Sequence, residues 1–131
     1  MDLNAILDKL KLAIPGLSAV YVFGSQCNGE QGPESDLDLA VLADTPPDTV
    51  KLWELAGELA TSAGCTVDLL DLRSASTVMQ YRIVTTGRRL WLRDSGPVMY
   101  ESFILSQKTA LDEARAGVLD DIRRTGTVYG R

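Results

Sequence analysis

Two aspartates, separated by a single leucine, open the stretch of this sequence that is best suited to chemistry. Asp36 and Asp38 begin the run DLDLAVL, whose alternating and then wholly apolar pattern predicts a buried β-strand. Side chains at positions i and i+2 of a strand face the same side, with their Cα atoms about 6.6 Å apart. Two neighbouring carboxylates repel each other unless a cation lies between them, and Mg²⁺ prefers such oxygen ligands. The pair is a candidate metal site, although the same alternation also suits a half-exposed strand with its aspartates in water.

A third carboxylate stands in another β-rich run, TVDLLD, at residues 66–71. If this run pairs beside the first strand, Asp68 joins Asp36 and Asp38, and its apolar neighbours hold it rigidly inside the strand. Asp71 competes for the same role, with a turn or capping residue as its alternative. Three carboxylates around two divalent cations about 3.5–4 Å apart form the clamp used for in-line displacement at phosphorus.

Gly24 and Ser25 stand where the preceding β-rich run, residues 17–23, breaks off. Residues 24–35 are loop material, with three glycines and a proline. A Gly-Ser turn just beyond a strand can offer backbone N–H groups and a hydroxyl to phosphate oxygens. Ser25 is therefore a candidate phosphate ligand, with an ordinary turn residue as the alternative.

The elements that must position these residues follow the order α-β-β-α-β-α-β-α. Apolar residues at helical spacing predict four helices: the second is capped by Asp48 and ends at Gly64, the third is capped by Ser74, and the last covers about 97–124. Strands are predicted at 17–23, 36–42, 65–70 and 88–92. The order predicts an α/β (α+β) fold in a single domain over residues 1–131, with a small mixed sheet of about four strands and helices packed on it.

Two further features are given structural interpretations. The long last helix has an apolar stripe that we predict to be core, with part of its surface left as a possible partner interface. The stripe consists of Met99, Phe103, Ile104, Leu111, Ala114, Val118 and Ile122. The arginines around strand 88–92 are predicted to lie on a solvated hairpin edge, with contacts to phosphates, RNA or an acidic partner as the alternative. These are Arg88, Arg89 and Arg93.

Composition removes several classes of function. The chain has 131 residues and no histidine, which excludes Ser-His-Asp and Cys-His machinery and histidine-ligated metals. Its 18 acidic and 13 basic residues give a net charge of −5, which argues against a broad basic surface for nucleic acid. With two cysteines outside any CxxC pair, no apolar run of membrane-spanning length and no signal-peptide pattern, we expect a cytoplasmic protein without a membrane partner.

The motifs together resemble those of a known superfamily. Gly24-Ser25, ten further residues, Asp36-Leu37-Asp38 and then Asp68 in a later strand are similar to the signature of the DNA polymerase β-type nucleotidyltransferases. The small size and the segment VDLLDLRSAS resemble more narrowly the minimal nucleotidyltransferase branch, which includes antitoxins paired with HEPN-domain RNase toxins. The motifs cover residues 20–42 and 65–72, and the order of elements resembles the branch over nearly the whole chain.

The resemblance implies a role for each motif residue. Gly24 and Ser25 would hold the triphosphate of ATP, Asp36 and Asp38 would bind two Mg²⁺ ions, and Asp68 would share one ion and orient the attacking hydroxyl. Many relatives carry a small and then a basic residue after the Gly-Ser pair. This chain has Cys27 and Asn28 instead, so its loop lacks that charge for triphosphate binding.

The implied reaction is the transfer of AMP from ATP to a tyrosine hydroxyl of a cognate HEPN toxin, which silences the toxin's RNase activity. The chain would then be both an enzyme and an antitoxin, with ATP and the toxin as its partners. Two alternatives stay open at this point. The acceptor is a small-molecule hydroxyl, or the aspartates are vestigial and the chain neutralises its partner by binding alone.

Overall fold

The structure, a computed structural model, describes residues 3–24 and 36–125, with the side chains of the last helix described as far as Val118. In chain order its elements are α1 (Leu3–Ala13), β1 (Leu17–Phe23), β2 (Leu37–Ala43), α2 (Thr49–Ala63), β3 (Val67–Asp71), a 3₁₀ turn (Leu72–Ser74), α3 (Thr77–Thr86), β4 (Arg88–Leu92) and α4 (Gly96–Thr125). The α/β fold predicted from the sequence is confirmed.

The four strands form one mixed sheet in the order β3-β2-β1-β4. β1 runs antiparallel to both of its neighbours, whereas β2 and β3 are parallel and are joined by a crossover through α2. Because of these directions, the carboxyl end of β1 and the amino ends of β2, β3 and β4 lie at the same end of the sheet. We call this the aspartate end, since Asp36, Asp38 and Asp68 all lie there.

Different helices cover the two faces of the sheet. α1 and α2 cover one face, and α3 with the beginning of α4 covers the other. β1 and β2 are buried on both faces, so their residues are almost all buried. This burial determines the strand register, because a slip of one residue would exchange the side chains of the two layers.

Helix capping follows the sequence at one helix and departs from it at another. Asp48 caps α2 as predicted, accepting a hydrogen bond from the Val50 amide at 3.2 Å, and Gly64 ends that helix. The predicted cap of α3 at Ser74 is wrong, because the 3₁₀ turn occupies that position. Ser76 caps α3 by accepting from the Met79 amide at 3.2 Å.

The prediction that the stripe of the last helix is core is wrong for most of its length. Ile104 is fully buried, but Met99 is 74% exposed, Phe103 53% and Val118 52%. Met99 and Phe103 are exposed because they lie on a different side of the helix from the buried Glu101 and Ile104. Val118 is exposed because α3 and the sheet lie under only the beginning of α4. No helix in the described part of the chain is long and apolar enough to span a membrane.

A buried polar network fastens the beginning of α4 to the sheet. The hydroxyl of Tyr21, a fully buried residue of β1, donates to Oε2 of Glu101 at 2.7 Å. Arg89 of β4 donates to both oxygens of the same carboxylate, at 2.8 and 2.6 Å. Burial by itself would raise the pKa of Glu101, but the hydrogen bonds from Arg89 and Tyr21 and the charge of Arg89 lower it overall. The Glu101 carboxylate therefore remains charged on the side of α4 that packs on the sheet.

The arginines around β4 serve mainly as ion-pair partners. Arg89 is committed to Glu101, and Arg93 pairs with Asp44 at 2.9 Å and with Asp94 at 3.0 Å. Arg88 is exposed on β4, which lies at the end of the strand order. This arrangement agrees with the predicted solvated edge and gives no sign of a phosphate site there.

Replacing the acceptor of the buried network should destabilise the fold. Glu101→Ala is expected to lower the free energy of unfolding by about 2 kcal/mol, because the buried Tyr21 hydroxyl and Arg89 lose their partner. Asp44→Ala is the matched control, since it removes a carboxylate from Arg93 at an exposed pair, where the effect should be much smaller. Urea denaturation at pH 7 measures both, and equal losses would contradict the prediction.

Candidate active site

The structure places the three predicted carboxylates at the aspartate end, with Asp38 and Asp68 on paired strands. Asp38 of β2 is the register partner of Asp68 on the parallel strand β3. Both side chains lie on the face covered by α3 and α4, because they alternate with residues of the other face along their strands. Asp36 directly precedes β2, two residues from Asp38. The lateral pairing that the sequence analysis required is therefore present.

The pKa of Asp38 is affected by its burial and by the carboxylates around it. Burial raises the pKa of the Asp38 carboxyl above its ordinary value, and the negative charge of Asp68, a hydrogen bond shared with Asp68 and the charge of Asp36 raise it further. Asp38 is half-buried, whereas Asp36 and Asp68 are exposed. Such a concentration of like charge is relieved by protonation or by a bound cation.

Gly24 is adapted to the same carboxylate. It follows Phe23, the register partner of Asp38 on β1, and its φ is +78°, a conformation that L side chains rarely adopt. A Cβ at this position would collide with Oδ2 of Asp38. Glycine at position 24 therefore allows the backbone that leaves β1 to pass directly against the Asp38 side chain.

The geometry places Asp68, not Asp71, beside Asp38. Asp71 is the register partner of Val41, farther along β3 from the aspartate end, and it is three residues from Asp68, so it lies on the opposite face of the strand. Its oxygens accept hydrogen bonds from the Arg73 amide at 3.2 Å and from the Ser74 hydroxyl at 2.8 Å. Asp71 is thus the capping residue of the 3₁₀ turn, as its alternative interpretation predicted.

A groove that the sequence analysis missed opens beside Asp68. It has a volume of about 650 Å³, lies between α2 and β3, and is lined by Trp53 and Gly57 on one side and by Val67–Asp71 on the other. This volume is in the range of small-molecule sites. Trp53 is 77% exposed. A sequence signal that could have indicated the groove is a tryptophan whose helical neighbours, Gly57 and Ala60, are small.

The donor set of the aspartate end suits Mg²⁺. Asp36, Asp38 and Asp68 offer oxygen atoms only, and Mg²⁺ usually binds through a few carboxylates while it keeps water and phosphate ligands. Among residues 3–24 and 36–125, no three acidic or cysteine side chains are close enough in this conformation to form a metal site by themselves. Ser25, Cys27 and Asn28 lie outside the described residues, so the phosphate-binding role of Ser25 stays a prediction.

Comparison with known proteins shows the family. Residues 4–96, which contain all four strands and the three aspartates, match the family described as Polymerase beta, Nucleotidyltransferase. This chain belongs to the polymerase beta nucleotidyltransferase family. The predicted superfamily and the predicted enzyme class are thereby confirmed.

Individual relatives show a more specific similarity within this family. The chain is 40% identical to the protein adenylyltransferase MntA of Shewanella oneidensis over 119 residues, which are 91% of this chain and 86% of the relative. A chain in a toxin–antitoxin crystal structure with AMP-PNP is 38% identical, with a TM-score of 0.84 over 94% of this chain and 99% of that one. A chain in the complex of tri-AMPylated S. oneidensis HEPN toxin with MNT antitoxin is 37% identical, with a TM-score of 0.76 over 92% and 94%. The predicted similarity to minimal nucleotidyltransferase antitoxins is confirmed.

Substitution of Gly24 tests its contact with Asp38. Gly24→Ala and Gly64→Ala both place a Cβ on backbone with positive φ, 78° and 75°, which costs about 1 kcal/mol at either position. Only Gly24→Ala adds a collision with Asp38, since nothing lies within 4 Å of a Cβ at Gly64. Urea denaturation should therefore show a larger loss for Gly24→Ala, and equal losses would indicate that Asp38 does not lie against position 24.

Replacing the Asp38 carboxylate by a neutral amide should stabilise this nucleotidyltransferase when no metal is bound. Because the folded state raises the pKa of Asp38, its ionised form opposes folding at neutral pH, and Asp38→Asn removes this penalty. We expect a higher melting temperature for Asp38→Asn than for the wild type at pH 7 in EDTA.

Addition of Mg²⁺ should reverse this order. The wild type should gain thermal stability in Mg²⁺ because the cation neutralises the cluster, whereas Asp38→Asn should gain little. Glu58→Gln, an exposed change on α2 that removes the same charge, is the control and should behave as the wild type. A lower melting temperature for Asp38→Asn in EDTA would refute the proposed repulsion.

Proposed function

We propose that this chain transfers AMP from ATP to a tyrosine hydroxyl of a HEPN toxin, in a Mg²⁺-dependent reaction that makes it the toxin's antitoxin. The observation that carries the proposal is the meeting of Asp36, Asp38 and Asp68 at one end of a nucleotidyltransferase sheet. Phosphoryl-type transfers depend mainly on positioning and on charge stabilisation. Carboxylates held at one end of a sheet, together with the cations that they would bind, would supply both.

The cations belong to the proposal. Asp36 and Asp38 would hold two Mg²⁺ ions, with Asp68 sharing one of them, and the ions would neutralise charge on the triphosphate and on the departing pyrophosphate. The chain has no histidine that could act as a base. Activation of the acceptor hydroxyl is therefore assigned to this carboxylate site.

The chain's own residues position the reactants. Gly24 brings backbone N–H groups to the triphosphate beside Asp38, and Ser25 adds its hydroxyl. Asp68 orients the acceptor by accepting a hydrogen bond from the tyrosine hydroxyl. The tyrosine oxygen attacks the α-phosphorus of ATP, the bond from that phosphorus to the bridging oxygen breaks, and pyrophosphate leaves while the phenolic proton is released.

The acceptor is inferred from the relatives. MntA of S. oneidensis is named a protein adenylyltransferase, and another similar chain is bound to a HEPN toxin that carries AMP groups. These similarities cover more than 90% of this chain. They support a protein acceptor and AMP as the transferred group.

The test combines the purified chain with ATP labelled at the α-phosphate, Mg²⁺ and the cognate HEPN toxin. We expect label on a tyrosine of the HEPN chain, located by mass spectrometry of its peptides. Asp36→Asn and Asp38→Asn should each lower the initial rate by about 10³-fold, because each removes charge stabilisation of the transition state. Glu58→Gln should leave the rate unchanged, and EDTA should abolish the reaction.

Other outcomes would assign another function. Label on an added small-molecule hydroxyl but not on the HEPN chain would favour a small-molecule acceptor. If no label is transferred and the Asp36→Asn/Asp38→Asn double variant still neutralises the toxin RNase, the chain acts by binding alone. Either result would contradict the proposal.

A further inference from the structure

The second half of α4 extends past the sheet at the aspartate end. The Arg93 amide, just before the helix, donates to the Ser18 carbonyl at 2.8 Å, near the start of β1, and Glu101 reaches Tyr21 farther along that strand. The helix therefore advances toward Phe23, where β1 ends. Phe23 lies about 7 Å beyond Tyr21, a distance that the helix covers in about five residues.

The burial of α4 agrees with this direction. Lys108 is half-buried, with its ammonium group 4.9 Å from the centre of the Tyr81 ring on α3. From Thr109 to Val118 every residue is exposed except Leu111, which is half-buried. This part of α4 therefore extends beyond the aspartate end of β1 without packing firmly on the rest of the described protein.

The exposed half continues the core stripe of the buried half. Ile104, Leu111 and Val118 are seven residues apart and therefore lie on nearly the same face of the helix, with Ala114 beside them. Ile104 is fully buried, whereas Val118 is 52% exposed. The face that enters the core near the sheet thus becomes an uncovered apolar face beyond it, a pattern typical of an interaction surface.

α4 lies outside the part of the chain that matches the family. The family match ends at residue 96, where α4 begins. The similarity to MntA covers 91% of this chain, and that to the toxin–antitoxin structure covers 94%, so most of α4 is shared with those relatives. The helix is therefore an addition to the common nucleotidyltransferase domain, and it is shared with a chain that assembles with a toxin.

We propose that the apolar face formed by Leu111, Ala114 and Val118 docks an amphipathic helix of the acceptor protein and so holds its tyrosine at the aspartate end. The inference rests on the proposed function, which requires a protein acceptor to approach Asp38 and Asp68. The face lies on the part of α4 that extends beyond the aspartate end of β1, and the seven-residue spacing suits packing against a partner helix. A second copy of this chain on the same face would instead compete with the acceptor for access.

The test uses the full chain with the double substitution Leu111→Glu/Val118→Glu and the cognate HEPN toxin. The KM for the HEPN chain should rise about tenfold or more, because two charges enter an apolar contact. The kcat at saturating HEPN chain should be unchanged, since the carboxylate site is untouched. Leu12→Glu is the matched control, because Leu12 is 88% exposed on α1 and its substitution should alter neither constant.

Further measurements distinguish the possible failures. Thermal melting checks folding, and Val118→Glu alone serves if the double variant is unstable, with the same direction of change expected. An unchanged KM in a folded variant would overturn the docking surface, as would loss of self-association with an unchanged KM.

If the wild type labels no toxin, the proposed function fails, and calorimetry of the two chains without ATP decides the docking surface separately. Equal affinity of the wild type and the variant would overturn it.

Discussion

The parallel pairing of β2 with β3 is the constraint on which the rest of this structure depends. It sets Asp38 directly against Asp68 and leaves two like charges side by side at the end of a buried sheet. The surroundings accommodate this arrangement: β2 is buried on both faces, and the absence of a side chain at Gly24 leaves room for the Asp38 carboxylate. An arrangement that raises the pKa of its own carboxyl is more typical of a functional site than of a surface strand.

The structure separates the groups that hold the fold from those that are free for chemistry. Tyr21, Arg89 and Glu101 satisfy one another beneath α4, and Asp71 is occupied by the turn that follows β3. Asp36 and Asp68 are exposed. Because the framework has these polar contacts of its own, it does not draw on the carboxylates at the aspartate end.

Much of this could be predicted from the sequence, because the deciding signals are local. Alternation in DLDLAVL predicts the strand and the common side of Asp36 and Asp38, and Asp48 and Gly64 show their capping roles by residue type. The choice between Asp68 and Asp71 depends on which residue of β3 faces Asp38 across the sheet. That register is determined by the packing of the helices against both faces of the sheet, and the residues next to either aspartate do not indicate it.

Other features could not be predicted for related reasons. Ile104 and Val118 occupy equivalent places in one helical stripe, and only the length of the underlying sheet makes one buried and the other exposed. Ser74 and Ser76 are both good helix caps, and the 3₁₀ turn decides between them. Periodicity shows that a helix face is suited to burial, but it does not show whether the same chain or another chain covers it.

The crossover through α2 also affects how the protein folds. β3 pairs with β2 only after the whole of α2 has intervened in the chain. β4 then lies at the opposite edge of the sheet from β3, where it pairs with β1. Pairings between strands so distant in sequence form slowly, because the intervening chain loses entropy before the contacts are made. A chain still emerging during synthesis would carry Asp36 and Asp38 without Asp68 beside them. Asp68 therefore joins the other two carboxylates only after β3 has paired with β2.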